Sequence, residues 1–86
     1  MALRHATVRQ LRVFEAVARH ASFSRAAEEL HLTQPAVSMQ VKALETQAGL
    51  PLIEQVGKRL ALTDAGREIH ARAGTVIREL ALADDA

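Results

Sequence analysis

The chain has no cysteine, tryptophan or tyrosine and only two phenylalanines among its 86 residues. The absence of cysteine excludes disulfide frameworks, thiolate catalysis and thiolate-bound zinc, and it fits a reducing compartment. The 49% of hydrophobic residues are largely Ala, Val and Leu, which favours closely packed helices over a large sheet. A chain this short has room for one core and one appended element, but not for two full domains.

Long apolar runs and ligand clusters are missing as well. The opening MALRHATVRQ lacks the apolar stretch of a signal peptide, and no run approaches the ~18 residues of a membrane-spanning helix. The histidines do not share metal-ligand spacing, and no glycine-rich phosphate loop occurs. These histidines are His5, His20, His31 and His70. We therefore expect a cytoplasmic protein without membrane association, cofactor, metal or enzymatic activity.

Charge is distributed unevenly along the chain, although the formal net charge is only +1. Residues 1–62 carry eight Lys and Arg against five Asp and Glu, a net of +3, whereas residues 63–86 carry three against five, a net of −2. The first segment is therefore suited to face a polyanion, whereas the second need not face one.

Two helices are predicted in the first third of the chain. Thr7 and Gln10 have the spacing of a capping box. Apolar residues then recur at helical spacing, which predicts a first helix over residues 8–20. Residues 21–24 break this pattern and contain two serines, either of which can cap a second helix that ends near His31.

A third helix is predicted after a gap of only two residues. Thr33 is a good N-cap, Pro35 fits the first helical turn, and Gly49 supplies a left-handed end after about Ala48. Two helices joined by so short a turn must cross steeply, which is helix-turn-helix geometry. The start of the third helix, from Gln34, would then be able to enter a major groove. An ordinary helical hairpin in a small all-α domain is the alternative.

The last third predicts a hairpin and a long helix. Residues 52–56 and 60–62 flank a basic turn at residues 57–59, which indicates a two-stranded wing. Thr63 caps a final helix from about Asp64 onward. Its apolar residues are spaced by alternating fours and threes, as in a coiled-coil seam. The seam comprises Leu62, Gly66, Ile69, Ala73, Val76, Leu80 and Ala83. This pattern predicts a homodimer, although the same stripe could pack on the first helix.

The succession of motifs resembles a known family. The run SRAAEELHLTQPAVSMQVKALE over residues 24–45, then AGLPL, then KRLALTDAG over residues 58–66, closely resembles the N-terminal domain of LysR-type transcriptional regulators. The resemblance implies a mainly α fold, with a winged helix-turn-helix over residues 1–62 and a dimerising linker helix over residues 63–86. It also implies that a metabolite-sensing domain lies beyond this chain and that the full-length protein forms tetramers.

Within that family, the run LHLTQPAVSMQVKALE, the Glu54-Gln55 pair and TDAG are similar to regulators of carbon-fixation operons in autotrophic bacteria. The chain departs from the family pattern at three positions. Ile53 stands where Phe is usual, Gln55 where Arg is usual, and Met39 where Arg is frequent. Two arginine contacts to DNA are thereby lost. The cations left to make phosphate contacts are Arg25, Lys42, Lys58 and Arg59.

The resemblance implies specific roles on double-stranded promoter DNA. Gln34 is the leading base reader, because its amide can both donate and accept along an adenine edge. Pro35 and Ala36 offer apolar contact to a thymine methyl, and basic residues neutralise phosphates or enter the minor groove. The candidate DNA-binding residues are Ser24, Arg25, Thr33, Gln34, Pro35, Ala36, Ser38, Met39, Lys42, Lys58 and Arg59. The candidate dimer residues are Gly66, Ile69, Ala73, Val76 and Leu80.

A dimer is expected because one recognition helix touches too few base pairs to define a unique site. A two-fold protein matches an inverted repeat with half-sites roughly 34 Å apart. The competing hypothesis is a helical protein-interaction module, in which the third helix docks in a partner's groove. Steep salt dependence would distinguish DNA binding from such a contact.

Overall fold

The computed structural model of the protein describes Leu3 and residues 5–85, with side chains up to residue 82. The side chain of Ala83, which belongs to the predicted seam, lies outside that part, as do residues 1, 2, 4 and 86 altogether. The described residues form four helices and one hairpin, in the order α1 (Val8–His20), α2 (Phe23–Leu30), α3 (Gln34–Ala48), β1 (Ile53–Val56), β2 (Arg59–Leu62) and α4 (Asp64–Asp85). The predicted fold class, a winged helix-turn-helix followed by a long helix, is confirmed.

Local capping explains where the first three helices begin. The Thr7 hydroxyl accepts from the Gln10 amide, while the Gln10 side chain accepts from the Thr7 amide, so the predicted capping box is present. Of the two candidate serines, Ser22 caps α2. Thr33 caps α3 as predicted, by accepting from the Ala36 amide. Each cap satisfies backbone N–H groups that the helix itself leaves unpaired.

Three helices end on a residue in the left-handed region. Gly49 ends α3 in this way, with φ +72°. The ends of α1 and α2 use Ala21 (φ 51°) and His31 (φ 57°), where a side chain makes this conformation costly. At His31 the backbone N–H bonds to the Ala27 and Glu28 carbonyls, which turns the chain towards α3 within residues 31–33.

The buried side chains form two clusters that meet on α1. One cluster joins α1, α2 and α3 and holds the helix-turn-helix together; it comprises Val13, Ala16, Val17, Ala26, Ala27, Val37 and Val41. The other joins α1, the end of α3 and α4; it comprises Phe14, Leu44, Ala48, Leu52 and Ile69. Because α4 contributes Ile69 to the second cluster, this helix begins inside the core that α1 and α3 form, and the division of domains at residue 62 stays a prediction.

The predicted seam of α4 is divided by this packing. Ile69 and Ala73 are each only 1% exposed, and a Cβ on Gly66 would lie 2.0 Å from the Leu52 carbonyl oxygen. These three positions pack against their own protomer, because the stripe that could pair two helices is also the stripe that covers α1. Val76 (38% exposed) and Leu80 (37% exposed) are accessible to a second chain.

The hairpin follows the prediction with two adjustments. β1 and β2 pair antiparallel, with Ile53 opposite Leu62 and Val56 opposite Arg59. Arg59 therefore belongs to a strand, whereas the sequence placed it in the turn. Leu52, expected to open the first strand, lies before it with its side chain fully buried. Gly57 supplies the positive φ (+62°) that the tight turn requires.

The left-handed end of α1 gives a stability test with a matched control. Ala21→Gly should raise the free energy of unfolding by about 0.5 kcal/mol, because glycine adopts positive φ without strain but loses more chain entropy on folding. Ala71→Gly, at an exposed position inside α4, should lower it by about 1 kcal/mol. Urea unfolding of both variants measures the difference. A loss of stability in both would contradict the strain assigned to Ala21.

Candidate nucleic-acid interface

The exposed face of α3 lies opposite the row of residues that the helix buries. Val37, Val41, Leu44 and Ala48 are buried, as the predicted spacing requires. The side chains of Gln34, Pro35, Ser38, Met39 and Lys42 are exposed, and Ala36 is half-buried. Met39 is 68% exposed and so adds apolar surface to this face. The first two turns of α3 therefore present a mixed polar and apolar edge to solvent.

A hydrogen bond orders the start of this edge. The Ser24 hydroxyl in α2 donates to Oε1 of Gln34 in α3, at 3.2 Å. The bond holds the Gln34 amide by its oxygen and leaves its NH₂ group to donate outward. Ser24 and Gln34 were both candidates, and the structure brings them together. Thr33, next to them, is exposed and keeps its capping bond to the Ala36 amide.

The candidate cations differ from Arg19, Arg67 and Arg72 in having no acidic partner among the side chains that the structure describes. Among the described side chains, no carboxylate oxygen lies within 4.0 Å of a basic nitrogen of the four candidates. These four exposed cations are Arg25, Lys42, Lys58 and Arg59. By contrast, Arg19, Arg67 and Arg72 all form ion pairs with nearby Asp or Glu. The positive charge of the candidate residues is thus uncompensated, which favours binding to a polyanion.

Sequence reasoning missed two further cations and misjudged one side chain. Arg9 and Arg12 are exposed on α1 and likewise lack a carboxylate within 4.0 Å among the described side chains; their position off the apolar stripe of α1 was the available signal. Gln55, considered only as a lost arginine, donates to the Gly57 carbonyl at 3.1 Å. It thereby braces the turn that carries Lys58.

A charge network lies beside the helix-turn-helix, and it was not predicted. Arg19 forms a bidentate pair with Glu29 of α2, at 2.7 Å for both bonds, and also pairs with Glu15 on its own helix. His20 contacts Glu29, and His70 of α4 lies 3.5 Å from Glu15. The Arg19 guanidinium holds the pKa of Glu29 down to about 2 and also lowers that of Glu15. The network ties α1 to both α2 and α4.

Metal sites and membrane-spanning helices were the other features sought in the part of the chain that the structure describes. No group of three or more His, Cys, Asp or Glu is placed to hold a metal ion there. Within the same residues, none of the helices is both long and apolar enough to cross a membrane.

The pair α2–α3, joined through residues 31–33 and followed by a two-stranded hairpin, places the molecule in the winged helix-turn-helix class. Residues 8–67 match the family described as "Bacterial regulatory helix-turn-helix protein, lysR family". The match covers more than half of the chain, and the protein belongs to this family. The resemblance seen in the sequence is therefore confirmed.

Individual relatives indicate a more specific group within the family. The RuBisCO operon transcriptional regulator of Allochromatium vinosum is 62% identical over 79 residues, which cover 88% of this chain and 26% of that protein. The regulator CbbR of Rhodospirillum rubrum is 52% identical over 86 residues, with coverage of 98% and 29%. This chain thus spans little more than a quarter of these relatives. The similarity to carbon-fixation regulators, expected from the sequence, is confirmed.

A solved structure agrees with the fold. The chain described as "Crystal Structure of BenM_DBD/catB site 1 DNA Complex" superimposes with a TM-score of 0.87 at 29% identity, over 92% of this chain and 88% of that one. The agreement extends over nearly the whole of both chains, so it includes the hairpin and most of α4 as well as the helix-turn-helix.

The Glu29 network predicts that the stability of the protein depends on pH, and two substitutions at neighbouring positions test this. The pKa of Glu29 is lowered in the folded state, so its contribution to stability is present above pH 4.5 and is lost as the pH falls towards about 2. Glu29→Gln should therefore destabilise the protein at neutral pH and flatten its stability profile across that window. Glu28→Gln, which removes an exposed carboxylate outside the network, is the control. Urea unfolding across the window should show equal profiles only if the network contributes nothing.

Proposed function

We propose that this chain binds double-stranded DNA in a sequence-specific manner, as a dimer on an inverted-repeat promoter site. The observation that carries the proposal is the exposed Ser24–Gln34 pair at the start of α3, together with exposed cations that have no acidic partner among the described side chains. The BenM chain that shares this fold is described as a DNA complex. No catalytic residue is assigned, because the proposed activity is binding alone.

Base reading is assigned to the first two turns of α3. Gln34 presents its NH₂ group to an acceptor on a base edge, while Ser24 holds its oxygen. Pro35, Ala36 and Met39 contribute apolar surface suited to a thymine methyl. Ser38, exposed on the same face, donates to a base or a phosphate. The short side chains at this end allow the helix to approach the groove floor closely.

Contacts to the sugar-phosphate backbone of the DNA are assigned to the four candidate cations and to Thr33. Arg25, Lys42, Lys58 and Arg59 each neutralise one phosphate, with the two wing residues reaching along or into the minor groove. Two chains would then contribute eight such contacts, which predicts a slope of about −7 in a plot of log K against log salt concentration. Thr33 can add a phosphate bond to its capping role.

Dimerisation is assigned to the outer part of α4. Val76 and Leu80 are exposed on one face of α4, and burying this stripe against a second copy would remove apolar surface from water. The helix of 22 residues is roughly 33 Å long, which is comparable with the roughly 34 Å between half-sites one turn apart. Antiparallel pairing would place both recognition helices on one face of the duplex.

The regulated target is proposed from the relatives. Those at 62% and 52% identity are named as a RuBisCO operon regulator and as CbbR, so a carbon-fixation operon is the proposed target. The longer protein would carry a metabolite-sensing domain beyond this chain, form tetramers and act in the cytoplasm of a bacterium. These properties rest on the family and not on the residues described.

The dimer can be tested at one position of the exposed stripe. Val76→Asp would place a charge in the apolar contact and should weaken dimerisation about a hundredfold. Thr75→Asp, at the adjacent exposed position, is the control and should change it little. Sedimentation equilibrium of the two variants gives the dissociation constants. Equal effects would show that dimerisation does not use this face of α4.

DNA reading can be tested by fluorescence anisotropy on an inverted-repeat duplex and a scrambled duplex across a salt series. Gln34→Ala should reduce discrimination between the duplexes by roughly 1 to 3 kcal/mol, whereas Lys58→Ala should weaken both nearly equally. Equal losses from Gln34→Ala would contradict its base-reading role. If the unaltered chain bound neither duplex at low salt, α3 would instead be assigned to a groove on a partner protein.

A further inference from the structure

Glu45 lies near the end of α3, on the line that continues the exposed face from Lys42, yet it is half-buried. Its Oε2 atom accepts a hydrogen bond from the Leu52 amide at 2.8 Å and a longer one from the Ile53 amide at 3.4 Å. Both amides belong to the segment that leads from α3 into the wing. A carboxylate that accepts from backbone N–H groups forms a charge-assisted bond, which is about twice as strong as a neutral one.

Leu52 is held from the other side by the start of α4. Its carbonyl accepts from the Thr63 amide at 3.1 Å. The Thr63 hydroxyl donates to the Pro51 carbonyl at 2.7 Å and accepts from the Gly66 amide at 3.0 Å. Gly66 packs directly on the Leu52 carbonyl, since a Cβ there would approach the oxygen to 2.0 Å. These five residues, Glu45, Pro51, Leu52, Thr63 and Gly66, are here named the Leu52 joint.

The Leu52 joint is a polar connection between the recognition helix and the linker helix. On one side Glu45 fixes the Leu52 amide to α3, and on the other Thr63 fixes the Leu52 carbonyl to α4. The apolar cluster of Leu44 and Ile69 also joins these helices, but side-chain packing alone leaves some freedom for one helix to slide on another. Directional hydrogen bonds to both the N–H and the C=O group of one residue restrict that freedom.

We propose that Glu45 is a positioning residue: through the Leu52 joint it sets the angle between α3 and α4, and thereby the half-site spacing that the dimer accepts. The part about spacing rests on the proposed function. Because two heads are joined through their α4 helices, a small rotation at each joint displaces the recognition helices relative to each other. Glu45 would thus influence which operators are bound without touching a base.

The angle is tested first, and without DNA. The chain has no cysteine, so Met39→Cys and Ala71→Cys place one spin label on α3 and one on α4, and dilution with unlabelled chain suppresses distances between protomers. Glu45→Ala should broaden and shift the distance distribution, while Glu45→Gln, which keeps an acceptor oxygen, should largely restore it. Glu28→Ala is the control for loss of a negative charge. A distribution unchanged by Glu45→Ala would overturn the proposal, because packing alone would then hold the angle.

The spacing is tested with inverted repeats whose half-site separation varies in single base-pair steps, alongside a duplex with one half-site. Relative to Glu28→Ala, Glu45→Ala should weaken binding to the best-spaced repeat by about tenfold and leave the single half-site unchanged. Equal losses on both duplexes would overturn the positioning role. If Glu45→Ala fails to fold, Thr63→Val removes the two hydroxyl bonds of the joint, to Pro51 and Gly66, and keeps the bond from the residue 63 amide to the Leu52 carbonyl; it should give the same result to a smaller extent. Failure of the unaltered chain to bind any duplex would overturn the proposed function, while the spin-label distances would still decide the angle.

Discussion

The arrangement depends on the burial of α1 between two clusters. Val13 and Phe14 are neighbours in sequence, but Val13 packs with α2 and α3, whereas Phe14 packs with α4 and the end of α3. One helix therefore holds both the helix-turn-helix and the linker helix. Once the apolar faces of α2 and α3 are placed on α1, the polar edge that begins at Gln34 must face outward. The exposure of the candidate site is thus a consequence of what α1 covers.

Charge reinforces this division of the surface. Arg19 is paired with Glu15 and Glu29 beside the core, so its charge stabilises the contact between helices and is partly neutralised. The candidate cations have no such partner among the described residues, and their charge remains for an external anion. A net charge of +1 therefore says little about binding, because the distribution of partners decides which cations are available.

Local signals predicted the elements well, and contacts distant in sequence limited the rest. Helix α3 begins after Thr33 and ends at Gly49 as expected, because capping depends only on neighbouring residues. Ile69 was assigned to the dimer because a coiled-coil stripe and a core-facing stripe share the same spacing over a few turns. Glu45 continues the spacing of the exposed residues of α3, and nothing in that spacing reveals that the chain returns to it at Leu52. The ion pair between Arg19 and Glu29 could not be predicted from spacing either, because it joins two different helices.

The glycine inside α4 adds a mechanical property to the linker helix. Gly74 directly follows Ala73, which is the last buried residue among the described side chains of α4, and a Cβ at Gly74 would meet only the end of the Arg78 side chain. Packing therefore does not require glycine at this position, yet glycine makes a helix easier to bend. The part of α4 up to Ala73 is fixed by its packing, and the part beyond it can bend at Gly74. Twist about the axis would pass to the recognition helix, whereas sideways deflection would be absorbed at Gly74.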